Sequence, residues 1–241
     1  MKTIILSLLF SVSLFANDFV YEVNGNQFQG YFLKKSSRAP TIFVVHDWDG
    51  IGKYEKIRAN MFFDLGYSVF LIDMYGKGIR PKKLKEKKHM TSSLYSDRDK
   101  MRVLMNSALS EATKLGLNTA NSVAVGYCFG GTSILEWAKS GAKLKGFASF
   151  HGNLRIQDNE TYKKVSSKIV VFHGTADKIV SMKEFAELAE HLEKLNIPHE
   201  MTTYSGAPHA FSVIGSKRYT KQADEKSWIR LKRFLSEQLL K

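Results

Sequence analysis

Cys128 is the only cysteine in the 241-residue chain, and it lies inside Gly126-Tyr127-Cys128-Phe129-Gly130-Gly131. The run 121–125 before it predicts a buried strand, and the run 132–138 after it predicts a helix. A nucleophile held between strand and helix, with glycines around it, sits on a sharp turn that exposes its reacting atom. The glycines let strand and helix pass close together without Cβ clashes. The helix N-terminus that follows offers free N–H groups and a positive dipole end, which favour thiolate over thiol. A lone cysteine is ordinarily an inert buried hydrophobe, so this reading needs partners. A thiol attacking a carbonyl requires a base to take its proton and an acid to orient that base. Asp177, in His173-Gly-Thr-Ala-Asp177, and His209, in Pro208-His209-Ala210, follow Cys128 in the order nucleophile, acid, base.

The chain has seven histidines, and their settings separate them. His46 and His173 end apolar strands, as hydrogen-bonded structural histidines do. His89, His191 and His199 fall in polar or helical settings, or at a strand start. His151 follows a strand and precedes a glycine, so it is the rival base; chain order favours His209 and leaves His151 lining the pocket. Asp47 and Asp49 precede the nucleophile, and Asp73 is placed to organise its own turn. An oxyanion hole needs two converging N–H donors. Phe129, just after the nucleophile, and Trp48, in the loop after the first buried strand, are positioned to supply them. The histidines lack metal-ligand spacing and there is one thiol, so no metal and no cofactor is expected.

These residues need a scaffold, and the strands and helices that supply it are legible. Residues 19–33 alternate around Asn24-Gly25-Asn26, predicting a hairpin of two antiparallel strands. Continuous apolar runs at 41–45 and 67–72 predict strands buried on both faces. Further strands are predicted at 146–150, 168–172 and 199–204, with helices at 54–65, 96–115, 183–195 and 223–240. This alternation predicts one α/β domain over 17–241, a mostly parallel sheet covered by helices on both faces. Ligands in such sheets sit beyond the carboxyl ends of the strands, where each candidate residue lies.

The formal net charge is +13, a balance that steers anionic molecules toward the surface. Lys77, Arg80, Lys82, Lys83, Lys85, Lys87 and Lys88 crowd one segment, opposed only by Glu86. It reads as a solvated loop, although its start lies on the pocket side of the sheet. No nucleic-acid motif is present. The segment 1–16 has a basic residue, a short apolar stretch and a terminal Ala16, the pattern of a secretory signal peptide cleaved after Ala16. Export to the periplasm or beyond is therefore expected, with no membrane span after cleavage and a monomeric mature protein. The lone thiol then has no internal disulfide partner.

Taken in order, the motifs resemble those of the dienelactone hydrolase family, carboxymethylenebutenolidase-like proteins of the α/β-hydrolase superfamily. The resemblance runs from about Phe19 to the end of the chain. It is carried by Val45-His-Asp-Trp-Asp-Gly50, Asp73-Met-Tyr-Gly-Lys-Gly78, the cysteine turn, Ser149-Phe-His-Gly152, His173-Gly-Thr-Ala-Asp177, Gly206-Ala-Pro-His-Ala-Phe211 and Ala223-Asp-Glu-Lys-Ser-Trp228. It implies an α/β-hydrolase fold and a Cys-Asp-His triad at Cys128, Asp177 and His209. It also implies that Asp47 stands where a glutamate helps deprotonate the resting thiol. Two arginines that hold a substrate carboxylate in the family correspond to Lys77 and to Val213 here, with Arg80 or the lysine cluster available to compensate. The expected activity is hydrolysis of a small ester or lactone, an anionic one included. The competing readings are a non-catalytic exported protein that binds anionic surfaces through 77–88, and a thioesterase or peptidase on the same fold.

Overall fold

The computed structural model describes residues 16–157 and 162–240. The expected signal peptide thus lies outside the described residues, apart from Ala16. The elements run β1 (Ala16–Val23), β2 (Asn26–Leu33), β3 (Pro40–Val45), α1 (Lys53–Asp64), β4 (Ser68–Ile72), α2 (Leu84–Tyr95), α3 (Arg98–Lys114), β5 (Asn118–Tyr127), α4 (Phe129–Lys139), β6 (Gly146–Phe150), β7 (Lys168–Gly174), α5 (Met182–Lys194), β8 (His199–Tyr204) and α6 (Lys221–Leu239). They build one sheet of eight strands in the order β1-β2-β4-β3-β5-β6-β7-β8.

The hairpin forms as expected, with Asn24 and Gly25 at φ 49° and 77°. Positive φ at both central residues gives the turn whose twist matches the flanking strands. From β4 through β8 the strands pair in parallel, and β2 joins β4 antiparallel. Successive side chains of a strand point to opposite faces, and both faces are apolar here. Phe43 and Val45 of β3 join a core with α3 and α4, through residues such as Met105 and Trp137. Ile42 and Val44 join a second core with α1 and α6, through Phe62 and Phe234. Continuous apolar strands are what such double coverage requires.

The basic segment departs from expectation. From Leu84 onward it is helix, not loop. Lysine and glutamate are good helix formers, and Glu86 accepts the backbone N–H groups of Lys82 and Lys83 at 3.1 Å each to open the first turn. The segment carries little of the apolar stripe that betrays a helix in sequence, because only Leu94 of α2 is buried. The helix expected over 96–115 is α3, which starts two residues later and is capped by Asp97, whose carboxylate accepts the Lys100 N–H at 2.9 Å.

The junction of β5 and α4 is the tightest place in the fold. A Cβ on Gly126 would stand 2.1 Å from the Gly130 carbonyl oxygen, and one on Gly130 would stand 2.1 Å from that of Val45. Both obstacles are backbone and cannot swing aside. Gly130→Ala is therefore expected to lower unfolding free energy by roughly 2 kcal/mol or more, since overpacking forces backbone shifts of about that cost. Denaturant titration checks this; an unchanged midpoint would contradict the close-approach account.

Candidate active site

Cys128 occupies the turn between β5 and α4 with φ 52° and ψ −110°. A non-glycine residue at positive φ is strained, typically by about 1–3 kcal/mol. Its N–H bonds to the Phe150 carbonyl at 3.0 Å, which extends the β5–β6 ladder into the turn. Asp177 and His209 reach it from the loops after β7 and β8. His209 Nε2 lies 3.1 Å from Cys128 Sγ, and His209 Nδ1 lies 2.8 Å from Asp177 Oδ2. A carboxylate can only accept, so Nδ1 carries the proton and Nε2 faces the thiol as an acceptor. Both side chains are buried.

The Asp177 carboxylate is fixed from behind. Its Oδ1 accepts the N–H groups of Ile179 at 2.8 Å and Val180 at 3.0 Å. Burial pushes its pKa up, but His209 and these two donors outweigh burial and hold it below the usual carboxylate range. Asp47 has the opposite balance. Burial raises it to about 6, against the lowering effects of the Trp48 N–H and the Cys128 thiol. Glu55, on the first turn of α1, is raised to about 7 by burial and by Asp47. Burial and the adjacent Asp47 also push the Cys128 thiol well above its ordinary value, although the Phe129 N–H pulls it down. These effects favour the neutral thiol and oppose the thiolate that the helix N-terminus alone favours.

The N–H groups of Trp48 and Phe129, expected to serve an oxyanion, both have other neighbours in this structure. The Trp48 N–H bonds to Asp47 Oδ1 at 2.5 Å, and the Phe129 N–H points to the Cys128 sulfur. The loop bearing Trp48 is held by Glu55, whose Oε1 accepts the Asp47 N–H at 3.2 Å and whose Oε2 accepts the Gly52 N–H at 2.8 Å. Tyr75 Oη donates to the Trp48 carbonyl at 3.0 Å.

His46 serves structure as expected: its Nε2 accepts the Met74 N–H at 3.1 Å. Asp73 likewise organises its turn, with Oδ1 accepting from Tyr75 and Gly76 at 3.1 and 3.3 Å. Asp47 and His151 both border the cleft, though His151 is fully buried. Lys77 and Arg80 do not belong to it. Lys77 Nζ bonds to Gln27 Oε1 at 3.0 Å on the surface. Arg80 Nε donates to the Ile51 carbonyl at 2.9 Å, and its Nη1 donates to the Ile79 carbonyl at 2.7 Å. These side chains fasten the loops beneath the cleft, because the chain after β4 turns towards β2 before α2 returns to the pocket.

The cleft above Cys128 has a volume of about 780 Å³. Its cations come from elsewhere: Lys53 of α1, Lys87 and Lys88 of α2, and Lys217 and Arg218 of the loop after His209. Lys87 is partly neutralised by Asp49 at 3.2 Å. The sequence marks Lys87 and Lys88 only as part of a charged run, and nothing in it singles out Lys217, Arg218 or Glu55. Val213 lines the wall without charge. Among the described residues, no helix is long and apolar enough to cross a membrane, and no cluster of three or more His, Cys, Asp or Glu side chains could hold a metal ion.

An eight-stranded, mostly parallel sheet with a sharp strand-to-helix turn at its carboxyl edge defines an α/β-hydrolase fold. The dienelactone hydrolase family matches residues 28–239, and the chain belongs to that family. It is a hydrolase of the carboxylic-ester and lactone class. It is 26% identical over 224 residues to the "Probable 2-oxo-3-(5-oxofuran-2-ylidene)propanoate lactonase" of Bradyrhizobium sp, with 85% of this chain and 87% of that protein covered. It is 23% identical over 196 residues to "Protein usf" of Aquifex pyrophilus, covering 79% and 84% of the two chains. Among solved structures, a dienelactone hydrolase-like promiscuous phosphotriesterase from metagenomic libraries superposes with a TM-score of 0.85 at 24% identity. That match covers 92% of this chain and 98% of the other, and it establishes the shared fold.

The raised pKa of Asp47 has a stability consequence. The folded protein binds the Asp47 proton more tightly than the unfolded chain does, so this group's contribution is full below about pH 4 and is lost as pH rises through about 6. Asp47→Asn removes that loss. It should melt higher than the parent at neutral pH, by about 1–3 kcal/mol in stability, with the advantage gone below about pH 4. Thermal melts across pH test this, and a variant less stable at neutral pH would contradict it.

Proposed function

We propose that this protein hydrolyses an ester or lactone through a covalent thioester on Cys128. The observation that carries the reading is His209, bonded on one side to Asp177 and facing the Cys128 sulfur on the other. His209 Nε2 takes the thiol proton while Asp177 holds the ring and stabilises its cation. Asp47 stands as a second acceptor beside the same thiol. The sulfur attacks the carbonyl carbon, and the tetrahedral oxyanion forms beside the N–H groups of Phe129 and Trp48. The Trp48 N–H, which meets Asp47 Oδ1 at 2.5 Å, has to turn from it to serve the oxyanion. His209 then gives its proton to the leaving alkoxide, activates a water, and returns the proton to the sulfur as the thioester hydrolyses.

The cation rim supports an anionic substrate. Five basic side chains border the cleft against three acidic ones, of which Asp47 and Glu55 are buried and Asp49 pairs with Lys87, so an anion entering there meets a favourable potential. The name of the Bradyrhizobium relative specifies a propanoate-bearing lactone, which agrees in charge. This recognition uses α2 and the loop after His209, not Lys77 and Val213. Export belongs to the same proposal. It rests on the leader pattern in 1–16, and N-terminal sequencing of protein recovered outside the cytoplasm tests it, with an intact leader as the contrary result.

Cys128→Ala should abolish turnover of a nitrophenyl acetate, and retained turnover would refute the nucleophile. Replacing Lys217 and Arg218 together with glutamate should lower kcat/KM for a carboxylate-bearing ester by about tenfold, or ~1.4 kcal/mol. The neutral ester should be unaffected; equal losses on both would overturn the anionic reading.

A further inference from the structure

We propose that His151 is a positioning residue that ties the turn bearing Cys128 to the loop bearing His209 through a chain of hydrogen bonds. The inference rests on the thioester reading above and assigns a task to a histidine which that reading leaves idle.

His151 follows β6 with φ 39°, a conformation that a non-glycine residue adopts only under constraint. Its ring is fully buried. A buried imidazole in a strained backbone persists where its surroundings over-determine it, and both ring nitrogens are in fact occupied. The Cys128 N–H, which also bonds to Phe150, lies 3.1 Å from His151 Nδ1. That nitrogen must therefore be the unprotonated acceptor, which places the ring proton on Nε2. Nε2 lies 2.9 Å from Ser212 Oγ and so donates to it.

The chain continues beyond Ser212. Ser212 Oγ accepts from His151 and also shares a hydrogen bond with Tyr54 Oη at 3.3 Å. Tyr54 Oη also accepts from Arg58 Nε at 3.3 Å. Arg58 is itself buried; its Nη2 donates to the Ser212 carbonyl at 2.7 Å and pairs with the Asp224 carboxylate. Ser212 is three residues beyond His209 in one loop, and the His151 ring stands edge-on to the His209 ring at a centroid distance of 5.3 Å. One end of the chain thus grips the backbone of the proposed nucleophile. The other grips the loop of the proposed base, braced by Arg58 on α1 and Asp224 on α6.

This arrangement also explains why His151 does not act as the base. Its one acceptor nitrogen faces a backbone N–H, and its proton points to Ser212, away from the thiol. A protonated ring could not accept the Cys128 N–H at all. Burial keeps the ring neutral by holding its pKa well below the ordinary histidine value, with the neighbouring His209 and Arg58 acting in the same sense.

Four variants test the chain: His151→Asn, His151→Phe, Ser212→Ala and the His151→Phe/Ser212→Ala double variant. Asparagine tolerates positive φ and sets an oxygen near the place of Nδ1, so it keeps the Cys128 bond and loses the Ser212 bond. With nitrophenyl acetate, His151→Phe should lower kcat by about a hundredfold at nearly constant KM, the scale of an ångström-level misplacement of reacting groups. His151→Asn should recover part of that loss. Ser212→Ala should lower kcat in the parent but cost nothing further in the His151→Phe background, because a chain already cut cannot be cut again. Additive losses, or a His151→Phe variant that keeps the parent kcat, would overturn the proposal. If His151→Phe does not fold, the same cycle is run with His151→Asn, which already lacks the Ser212 bond; additivity there is equally contrary. Cys128→Ala is measured alongside: activity in it refutes the nucleophile, whereas its inactivity beside an indifferent His151→Phe refutes only the positioning role.

Discussion

The backbone at Cys128 is the constraint on which the site depends. The chain must leave β5, reverse and start α4 within one residue, and it does so with φ 52° and ψ −110°. That reversal is possible only because the helix start lies against bare glycine backbone. Gly126 faces the Gly130 carbonyl, Gly130 faces those of Val45 and His46, and Gly131 faces Ser149 and Gly152. Side chains at these positions would force α4 away from β3, β5 and β6. The helix would then no longer aim its first N–H groups at the sulfur. Folding energy from the two apolar cores offsets the local strain, which is how a strained functional turn persists in a stable domain.

Around this turn, charge is distributed unevenly between two carboxylates on either side of one thiol. Asp177 is stabilised as an anion by His209 and two backbone donors, and so it can support a histidine cation. Asp47 is destabilised by burial and lies beside Glu55, another buried acid that is also raised. In the proposed mechanism the carboxylate that is held ionised orients His209, while the raised one stands beside the thiol. Burial and Asp47 also push the Cys128 thiol well above its ordinary value, which favours its neutral form. Slow alkylation of Cys128 in the free protein is therefore compatible with a working nucleophile, and it does not single out a non-catalytic binder.

Much of this was legible in the sequence, for reasons specific to the residues. β3, β4, β5, β6 and β7 announce themselves as apolar runs because both of their faces are covered. Cys128, Asp177 and His209 stand out because each lies in a loop or turn after a strand, in the order nucleophile, acid, base, and the structure brings those three side chains together. What was illegible depends on long-range return of the chain. α2 hides its helical nature because it buries only Leu94. Lys77 and Arg80 looked like pocket residues because they follow β4, yet they fasten to Gln27 and to the Ile51 carbonyl. Lys217 and Arg218 reach the cleft through a loop with no periodicity to place it. His151 reads as pocket-lining and does border the cleft, whereas its link to Ser212 joins residues 61 positions apart and has no sequence signature.

The central claim is a covalent acyl group on Cys128, and the most direct measurement is rapid-quench mass spectrometry during turnover of a nitrophenyl acetate. At acidic quench, where thioesters survive, the protein should gain the mass of one acetyl group, confined to the peptide containing Cys128 and absent in Cys128→Ala. Turnover with no such adduct at any quench time, or an adduct on a residue other than Cys128, would contradict the account.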